Sequence, residues 1–451
     1  MNESEMKNGL SACKFGGIPW EWWVFAGAVV SAWFLRNSFG MGWDDPQHAI
    51  YGSYVLDYFL SGFSDAHWRT GMGTLYYYGP LFDLLSAAIH RAGAWDIFLL
   101  RSWLMAIFGA LAIPAVAAIG RRWDGERAAV FSVMALLLMP QFVGQSFINC
   151  KDIPFATGVA WSVLAVLRLL HSPHPMRFIA CGAAFGLTMS VRAGGAVVFV
   201  FLTAGLGYLM LRSLRSKSLR EDLRKLPGQW LFWGGLIPLI AWSILLLIWP
   251  FARENPISGP LEAFRQSSAF PTAYPVLFGG EVYLSNQLPV VYAPVMLFLT
   301  TPLVLVGFVG CGSYFALKDV IFRWKEERGL AAFVVGFWFL FPIGYVVATH
   351  PNIYDGIRHL LFVLPACALL AGKAAARISR GHRWGWPITA TAMALCLPAI
   401  ILSHPYEYTF YNVFAGPKGT LHERYETDYW LTSYRRAAEI LNQGNYSGRL
   451  T

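Results

Sequence analysis

The chain alternates between long apolar runs and short polar connections over most of its length. A membrane-spanning helix needs about 20 mostly apolar residues. The runs that approach this length are residues 20–36, 98–119, 127–142, 153–170, 177–190, 194–211, 229–249, 291–316, 330–348, 358–372 and 387–403. The pattern therefore predicts an all-α polytopic membrane protein with about eleven transmembrane helices.

The basic residues of the connections predict the orientation of these helices. With the N-terminus in the cytoplasm, the cytoplasmic segments and adjoining helix ends contain 21 of the 35 Lys and Arg residues. Six of them lie between Arg212 and Lys225. This excess follows the positive-inside rule. We therefore expect a cytoplasmic N-terminus and a C-terminus outside, which in a bacterial inner membrane is the periplasm.

The composition supports a membrane protein and excludes several other classes. Hydrophobic residues make up 56% of the chain and charged residues only 14%. The net charge of +9 comes from short loops between apolar runs, so it indicates topology rather than binding to nucleic acid. The six cysteines form no CxxC pattern, and no metal cluster is predicted.

Three segments on the predicted outer side are longer than simple connections: 37–97, 251–290 and 404–451. The first is rich in aromatic residues and is expected to contain short helices lying along the membrane surface. Long loops on one face of a helical scaffold often carry function. We therefore divide the chain into a transmembrane domain, 1–403, whose catalytic loop is 37–97, and a short outer tail, 404–451.

The first outer segment begins with an acidic pair, Asp44 and Asp45, followed by His48. Two adjacent carboxylates at a membrane boundary are costly unless a cation, a phosphate-bound metal or proton transfer keeps them there. Crowding and partial burial would raise the pKa of one carboxyl group, which suits a general base. The alternative is a solvated Asp-Asp-Pro turn that begins a surface helix, and the residues alone leave both open.

A second polar cluster, containing Lys151 and Asp152, lies in the outer turn before residues 153–170. Asp152 could simply cap that helix, with Pro154 in its first turn. This explanation does not account for Lys151, a cation on the side where cations should be rare. Lys151 is therefore a candidate for binding an anion.

Two further clusters lie in outer turns. Arg192 stands beside two glycines, which break the apolar stretch into two helices and let a ligand approach closely. Tyr354 and Asp355 precede Arg358 and His359, which begin a later apolar helix. For these last two residues the alternative is an interfacial anchor.

The predicted topology brings all four clusters to the same side of the membrane. Lys151, Arg192 and Arg358 could form a cationic cradle for a phosphate or pyrophosphate. Asp44 and Asp45 would then supply base chemistry or metal ligation beside it. A cationic pocket at the membrane edge fits a lipid phosphate, whose tail stays in the bilayer. A divalent cation is left open, and no motif requires a cofactor.

Two function classes fit this arrangement, an enzyme acting on a lipid phosphate and a transporter or flippase of a lipid-linked or anionic substrate. Transporters place charges near the bilayer midplane on broken helices, often in two related halves. The centres of the apolar runs here are nearly free of charge, and no inverted halves are visible. These features favour the enzyme.

The sequence resembles the polyprenyl-phosphate-sugar-dependent glycosyltransferases of the GT-C fold. Within them it is most similar to the protein O-mannosyltransferases of glycosyltransferase family 39 and their bacterial relatives, including the lipid A aminoarabinose transferase. The resemblance extends from about residue 20 to residue 435 and is carried by segments 43–48, 101–124, 151–155, 186–192, 354–360 and 404–430.

The resemblance implies an inverting transfer of a sugar from a polyprenyl phosphate to a glycan, lipid or protein acceptor outside the cytoplasm. Asp44 matches the family's first-loop carboxylate, and Asp45 stands where the mannosyltransferases usually have Glu. Arg358 matches an arginine that contacts the lipid phosphate in relatives. The substrate-site candidates beside these residues are His48, Asp152, Tyr354, Asp355 and His359.

Overall fold

The computed structural model describes residues 14–15, 17–93, 95–215, 227–268 and 272–443, and their regular structure is almost entirely helical. The α-helices up to residue 215 are α1 (Trp20–Leu35), α2 (Asp45–Leu60), α3 (His67–Thr70), α4 (Leu81–Ala92), α5 (Ile97–Ala110), α6 (Ala112–Asp124), α7 (Glu126–Leu137), α8 (Pro140–Ile148), α9 (Asp152–His171), α10 (Pro175–Met189) and α11 (Val197–Arg215). Those that follow are α12 (Pro227–Ile248), α13 (Pro250–Glu254), α14 (Ser258–Ser268), α15 (Tyr292–Leu299), α16 (Leu303–Phe322), α17 (Glu327–Thr349), α18 (Leu364–Ser379), α19 (Gly385–Ala394), α20 (Leu397–Ile401) and α21 (Tyr434–Gln443).

Short 3-10 helices and two small hairpins complete the described secondary structure. The 3-10 helices are Leu75–Tyr77, Ala193–Ala196, Arg358–Val363, Glu407–Thr409, Val413–Ala415 and Lys418–Glu423. The antiparallel strand pairs are β1 (Lys14–Phe15) with β2 (Ile18–Pro19), and β3 (Pro275–Phe278) with β4 (Glu281–Leu284). The hairpin β3–β4 pairs Pro275 with Leu284 and contacts the C-terminal segment through a bridge between Phe278 and Tyr425.

The prediction of a polytopic all-α membrane protein is confirmed. Six helical stretches among the described residues are long and apolar enough to cross a membrane: Ile97–Asp124, Asp152–His171, Ala193–Leu214, Leu303–Phe322, Glu327–Thr349 and Arg358–Ser379. A seventh results if the bent pair α7 and α8 counts as one span. The other predicted spans are not among these stretches, so a total of eleven crossings stays a prediction.

One predicted helix was wrong, because residues 291–316 do not form a continuous span. The chain forms α15, leaves the helical conformation at Thr300 and begins α16 after Pro302. Proline removes a backbone donor and disfavours helix in the residue before it, which explains the break. The predicted break near Arg192 is confirmed, because α10 and α11 are separate. Most of the predicted basic loop 212–228 lies outside the described residues.

The stretch Arg358–Ser379 is the central element of the bundle, with 94% of its most apolar window buried. It packs closely against α7, where Gly372 approaches Ser132 so closely that no Cβ would fit. At one end of the bundle, buried Lys373 pairs with Asp319 and lies 3.4 Å from a carboxylate oxygen of Asp124. A buried cation between two carboxylates ties α18 to α6 and α16.

The opposite end of the bundle carries the first outer segment and the C-terminal segment. Helices α2, α3 and α4 confirm the expected short helices, whereas their orientation along a membrane stays a prediction. The described part of the tail, residues 404–443, does not extend away from the bundle. Buried Trp430 donates from Nε1 to Gln145 of α8 at 3.0 Å, and its carbonyl accepts from the backbone of Trp43.

Candidate active site

Asp44 lies at the centre of a partly exposed ion cluster. Its carboxylate accepts a hydrogen bond from Nζ of Lys151 at 2.5 Å and lies 3.7 Å from Nη1 of Arg358. Arg358 also pairs with Asp355 at 2.9 Å. The Asp44 side chain is 19% exposed, whereas that of Arg358 is buried at 4%. Four predicted site residues from three distant parts of the sequence therefore meet at one place.

Local backbone geometry directs these side chains into the cluster. The side chain of Asp44 makes no capping hydrogen bond to α2, so its carboxylate is available to Lys151. Asp355 and Gly356 both have left-handed backbone conformations, with φ of 59° and 65°. This tight turn brings Arg358 back onto Asp355. An aspartate tolerates that conformation better than most residues, and glycine adopts it without strain.

A second ion pair, between Asp152 and Arg192, lies beside the first. Asp152 is buried and also accepts from Nδ2 of Asn149 at 3.0 Å, while the backbone N–H groups of Lys151 and Asp152 donate to Oδ1 of Asn149. The Asp152 carboxylate therefore binds Arg192 and does not cap α9. His359 is half-buried in the same region, and its ring lies 5.0 Å from that of Tyr354.

Asp45 and His48 belong to a separate, fully buried polar layer. The guanidinium of Arg101 lies 2.7 Å from Asp45 and 2.9 Å from Asp83, and it donates to Oγ of Ser86 at 2.7 Å. Asp83 also contacts Nδ1 of His48 at 2.7 Å. The side chains of Asp45, His48, Asp83 and Arg101 are 0–5% exposed. The adjacent carboxylates of the acidic pair thus point into different environments.

The charges of the cluster shift the pKa of its carboxyl groups in opposite directions. Burial raises the pKa of Asp44, but the positive charges of Lys151 and Arg358 outweigh it and lower the value to about 2. Burial raises the pKa of Asp355 above its ordinary value, in spite of the nearby Arg358. Asp44 is therefore an ionised carboxylate at neutral pH, held between two cations.

An apolar cavity of about 540 Å³ adjoins both ion pairs. Arg192 and His359 contribute polar groups to its lining, while Val200, Phe341 and Phe362 are among its apolar residues. Tyr345, which is 47% exposed, also lines it. Two aromatic rings that line the cavity, those of Tyr78 and Tyr354, lie next to cations of the ion cluster. Lys151 lies 5.2 Å from the ring centroid of Tyr78, and the Arg358 guanidinium lies 4.6 Å from that of Tyr354.

The C-terminal segment packs against the ion cluster beside Arg358. The Arg358 guanidinium lies 5.1 Å from the ring centroid of Trp430. Glu426 lies close to the backbone N–H groups of Asp355 and Gly356, which favour its charged form. Burial, followed by the charge of Asp355, raises the pKa of Glu426 to about 7. The tail thereby holds the turn that carries Asp355 and Arg358.

Sequence reasoning missed Arg101, Asp83, Glu426 and Trp430. Arg101 gave a usable signal, because a single charge within an apolar span is rare and needs a partner. Asp83, Glu426 and Trp430 gave no such signal, since an acidic or aromatic residue in a long polar segment is ordinary. Only the three-dimensional packing shows that Glu426 and Trp430 reach the turn before Arg358.

Comparisons with known proteins agree with this architecture. Residues 80–246 match the family described as dolichyl-phosphate-mannose-protein mannosyltransferase. The structure of ArnT from Cupriavidus metallidurans in the apo state superposes with a TM-score of 0.58 at 17% identity, over 84% of this chain and 64% of that one. The chain has the GT-C glycosyltransferase fold. No curated protein sequence matches it significantly.

The GT-C fold is shared with a second group of solved structures. The oligosaccharyltransferase of Archaeoglobus fulgidus in the apo form superposes with a TM-score of 0.56 at 13% identity, covering 88% of this chain and 57% of that one. The chain therefore spans less than two thirds of the length of these neighbours. At such identities the likeness concerns the fold.

Proposed function

We propose that the chain is an integral-membrane inverting glycosyltransferase, which moves a sugar from a polyprenyl-phosphate donor to an acceptor on the non-cytoplasmic side. One observation carries the proposal. An apolar cavity that suits a lipid chain adjoins a cluster of three cations and a partly exposed carboxylate. Clefts with apolar walls and a few polar groups are typical ligand sites.

The donor fits this site in one orientation. The polyprenyl chain occupies the apolar cavity, and its phosphate reaches Arg192, Lys151 and Arg358. Guanidinium groups bind phosphate oxygens in pairs, and an ammonium group adds a point charge. Two neighbours support the choice of lipid. ArnT was solved bound to undecaprenyl phosphate, and the archaeal oligosaccharyltransferase AglB in complex with a dolichol-phosphate.

We assign the base to Asp44 rather than Asp45. Asp44 is partly exposed beside the cations, whereas Asp45 is buried on Arg101. In the reaction, the acceptor oxygen attacks the anomeric carbon while its proton passes to Asp44. The bond from the anomeric carbon to the phosphate oxygen breaks on the opposite side, and the polyprenyl phosphate leaves with the electron pair. Its charge is stabilised by the three cations.

Sugar transfer by the purified full-length protein in detergent tests this function. Radiolabelled polyprenyl-phosphate sugars are offered with a panel of glycan, lipid and peptide acceptors, and both product and released polyprenyl phosphate are measured. Asp44→Asn should lower turnover by about 10²- to 10⁴-fold, the usual contribution of a general base. Asp57→Asn is the matched control, because Asp57 is an exposed first-segment carboxylate paired with Arg91.

Equal turnover by Asp44→Asn and Asp57→Asn would exclude Asp44 as the base. If the donor instead binds and crosses the membrane of proteoliposomes without being consumed, the protein is a transporter rather than an enzyme. In that case the cavity is part of a passage rather than a donor site.

A further inference from the structure

Three buried side chains with metal-binding atoms meet behind the acidic pair. They are His48 of α2, Asp83 of α4 and Cys150 of the turn before α9, and they are 2%, 4% and 4% exposed. One ligand atom from each lies within 4.8 Å of the other two. Imidazole, carboxylate and thiolate are the three ligand types that zinc prefers, whereas magnesium and calcium take oxygen ligands.

The fixed charges around this group are compatible with a bound divalent cation. Asp45 and Asp83 face a single guanidinium, that of Arg101, in a pocket whose side chains are 0–5% exposed. A histidine must be neutral to bind a metal, and with a neutral His48 the three fixed charges, those of Asp45, Asp83 and Arg101, sum to −1. A buried unbalanced charge is unfavourable. A zinc ion with the Cys150 thiolate adds a net charge of +1, which brings the pocket to neutrality.

His48 can bind a metal without leaving a new polar group unpaired. Its Nδ1 contacts Asp83 at 2.7 Å, while its buried Nε2 has no hydrogen-bond partner among the described residues. If Nδ1 is the ligand, it shares the ion with Asp83. If Nε2 is the ligand, it has no hydrogen bond to lose. Arg101 meanwhile holds the other oxygen of Asp83, as outer partners of metal ligands usually do.

We propose that His48, Asp83 and Cys150 bind a zinc ion behind the candidate active site. Binding forms the zinc–sulfur bond and releases the thiol proton of Cys150 to solvent, and no atom changes oxidation state. The ion would join α2, α4 and the turn before α9. Asp44 immediately precedes α2 and Lys151 lies in the turn before α9, so the ion would fix their separation.

Metal content of the purified full-length protein, produced without a histidine tag, tests the site. The protein is stripped with a chelator, given zinc chloride and freed of excess metal before zinc is counted per chain. Cadmium chloride is used in parallel, because a cadmium–thiolate bond produces an ultraviolet charge-transfer band. We expect one zinc per chain and one such band for the wild type.

Cys150→Ser should weaken zinc binding by at least about tenfold and abolish the cadmium band. Cys367→Ser is the matched control, because Cys367 is equally buried but lies in α18 away from these residues. His48→Asn provides a second ligand variant should Cys150→Ser not fold. No zinc on the wild type, or equal zinc on the wild type and Cys150→Ser, would overturn the site. Metal content does not depend on sugar transfer, so this result is independent of the proposed function.

Discussion

Replacing Arg101 with Met gives the sharpest prediction about stability. Arg101 is completely buried, and its guanidinium contacts Asp45, Asp83 and Ser86 at 2.7–2.9 Å. Methionine fills much of the same volume but contributes no charge and no donor. The variant therefore leaves two carboxylates in an interior pocket without their guanidinium partner.

The magnitude follows from the cost of uncompensated buried charge. Removing one partner of a buried ion pair typically destabilises a protein by about 3–5 kcal/mol. Because Arg101 serves two carboxylates, we expect the upper part of that range. Arg91→Met is the matched control. The pair of Arg91 with Asp57 has the same 2.7 Å separation, but its side chains are 50% and 35% exposed. Exposed pairs contribute about 0–1 kcal/mol.

The assay is thermal unfolding of the detergent-purified variants, followed by tryptophan fluorescence at one detergent concentration. Arg101→Met should unfold well below Arg91→Met, which should stay close to the wild type. The combination of Arg101→Met with Asp45→Asn should recover part of the loss, because one of the two unpaired charges is removed. Equal unfolding temperatures for Arg101→Met and Arg91→Met would refute the assignment of Arg101 as the centre of a buried network.

The structure makes three further predictions. Arg358→Lys should weaken donor binding roughly tenfold, because a bidentate contact becomes a point charge, and unchanged affinity in a binding titration would exclude Arg358 as a phosphate ligand. The raised pKa of Glu426 means that its contribution to stability is present below pH 4.5 and lost as the pH rises through about 7. Glu426→Gln should therefore gain up to about 3 kcal/mol over the wild type between pH 5 and pH 8, and parallel unfolding curves would contradict this. Cysteines at Ser216 and Ser433 should react with an impermeant thiol reagent from opposite sides of the membrane, and same-side labelling would reject the topology.

The sequence predicted the helical membrane fold because hydrophobic length is a local property. The same property could not predict how long apolar runs are divided. The run 291–316 is apolar throughout its first part, yet Pro302 ends one helix and starts another. Likewise, the bend of 62° between α7 and α8 occurs at Pro140 inside a run that was predicted as one span.

The sequence also predicted most of the candidate site, because rare charges on the predicted outer side of a membrane protein are conspicuous. It could not distinguish Asp44 from Asp45, since neighbours in sequence share every local property. The two carboxylates differ because their side chains point in different directions. One carboxylate faces Lys151, and the other faces Arg101, which is 56 residues away. The role of Glu426 in holding the Asp355 turn depends on a contact across about 70 residues and has no local signature.

The charge balance of the site predicts how the proposed base, Asp44, would be activated. Without donor, Asp44 is held between Lys151 and Arg358, and its pKa is lowered to about 2, which makes it a weak base. A donor phosphate brings a negative charge to the same two cations and competes with Asp44 for them. The pKa of Asp44 should then rise, because a weaker positive field stabilises the carboxylate less.

This rise is measurable in the pH dependence of catalysis. The acid limb of kcat/KM reports the free enzyme and that of kcat reports the donor-bound enzyme. We therefore expect kcat to fall at a higher pH than kcat/KM on acidification. In Lys151→Gln the free-enzyme limb should move to higher pH, because the closest cation to Asp44 is lost. If the two limbs of the wild type coincide, the donor phosphate does not compete for these cations, and Lys151 and Arg358 serve only to hold Asp44 in place.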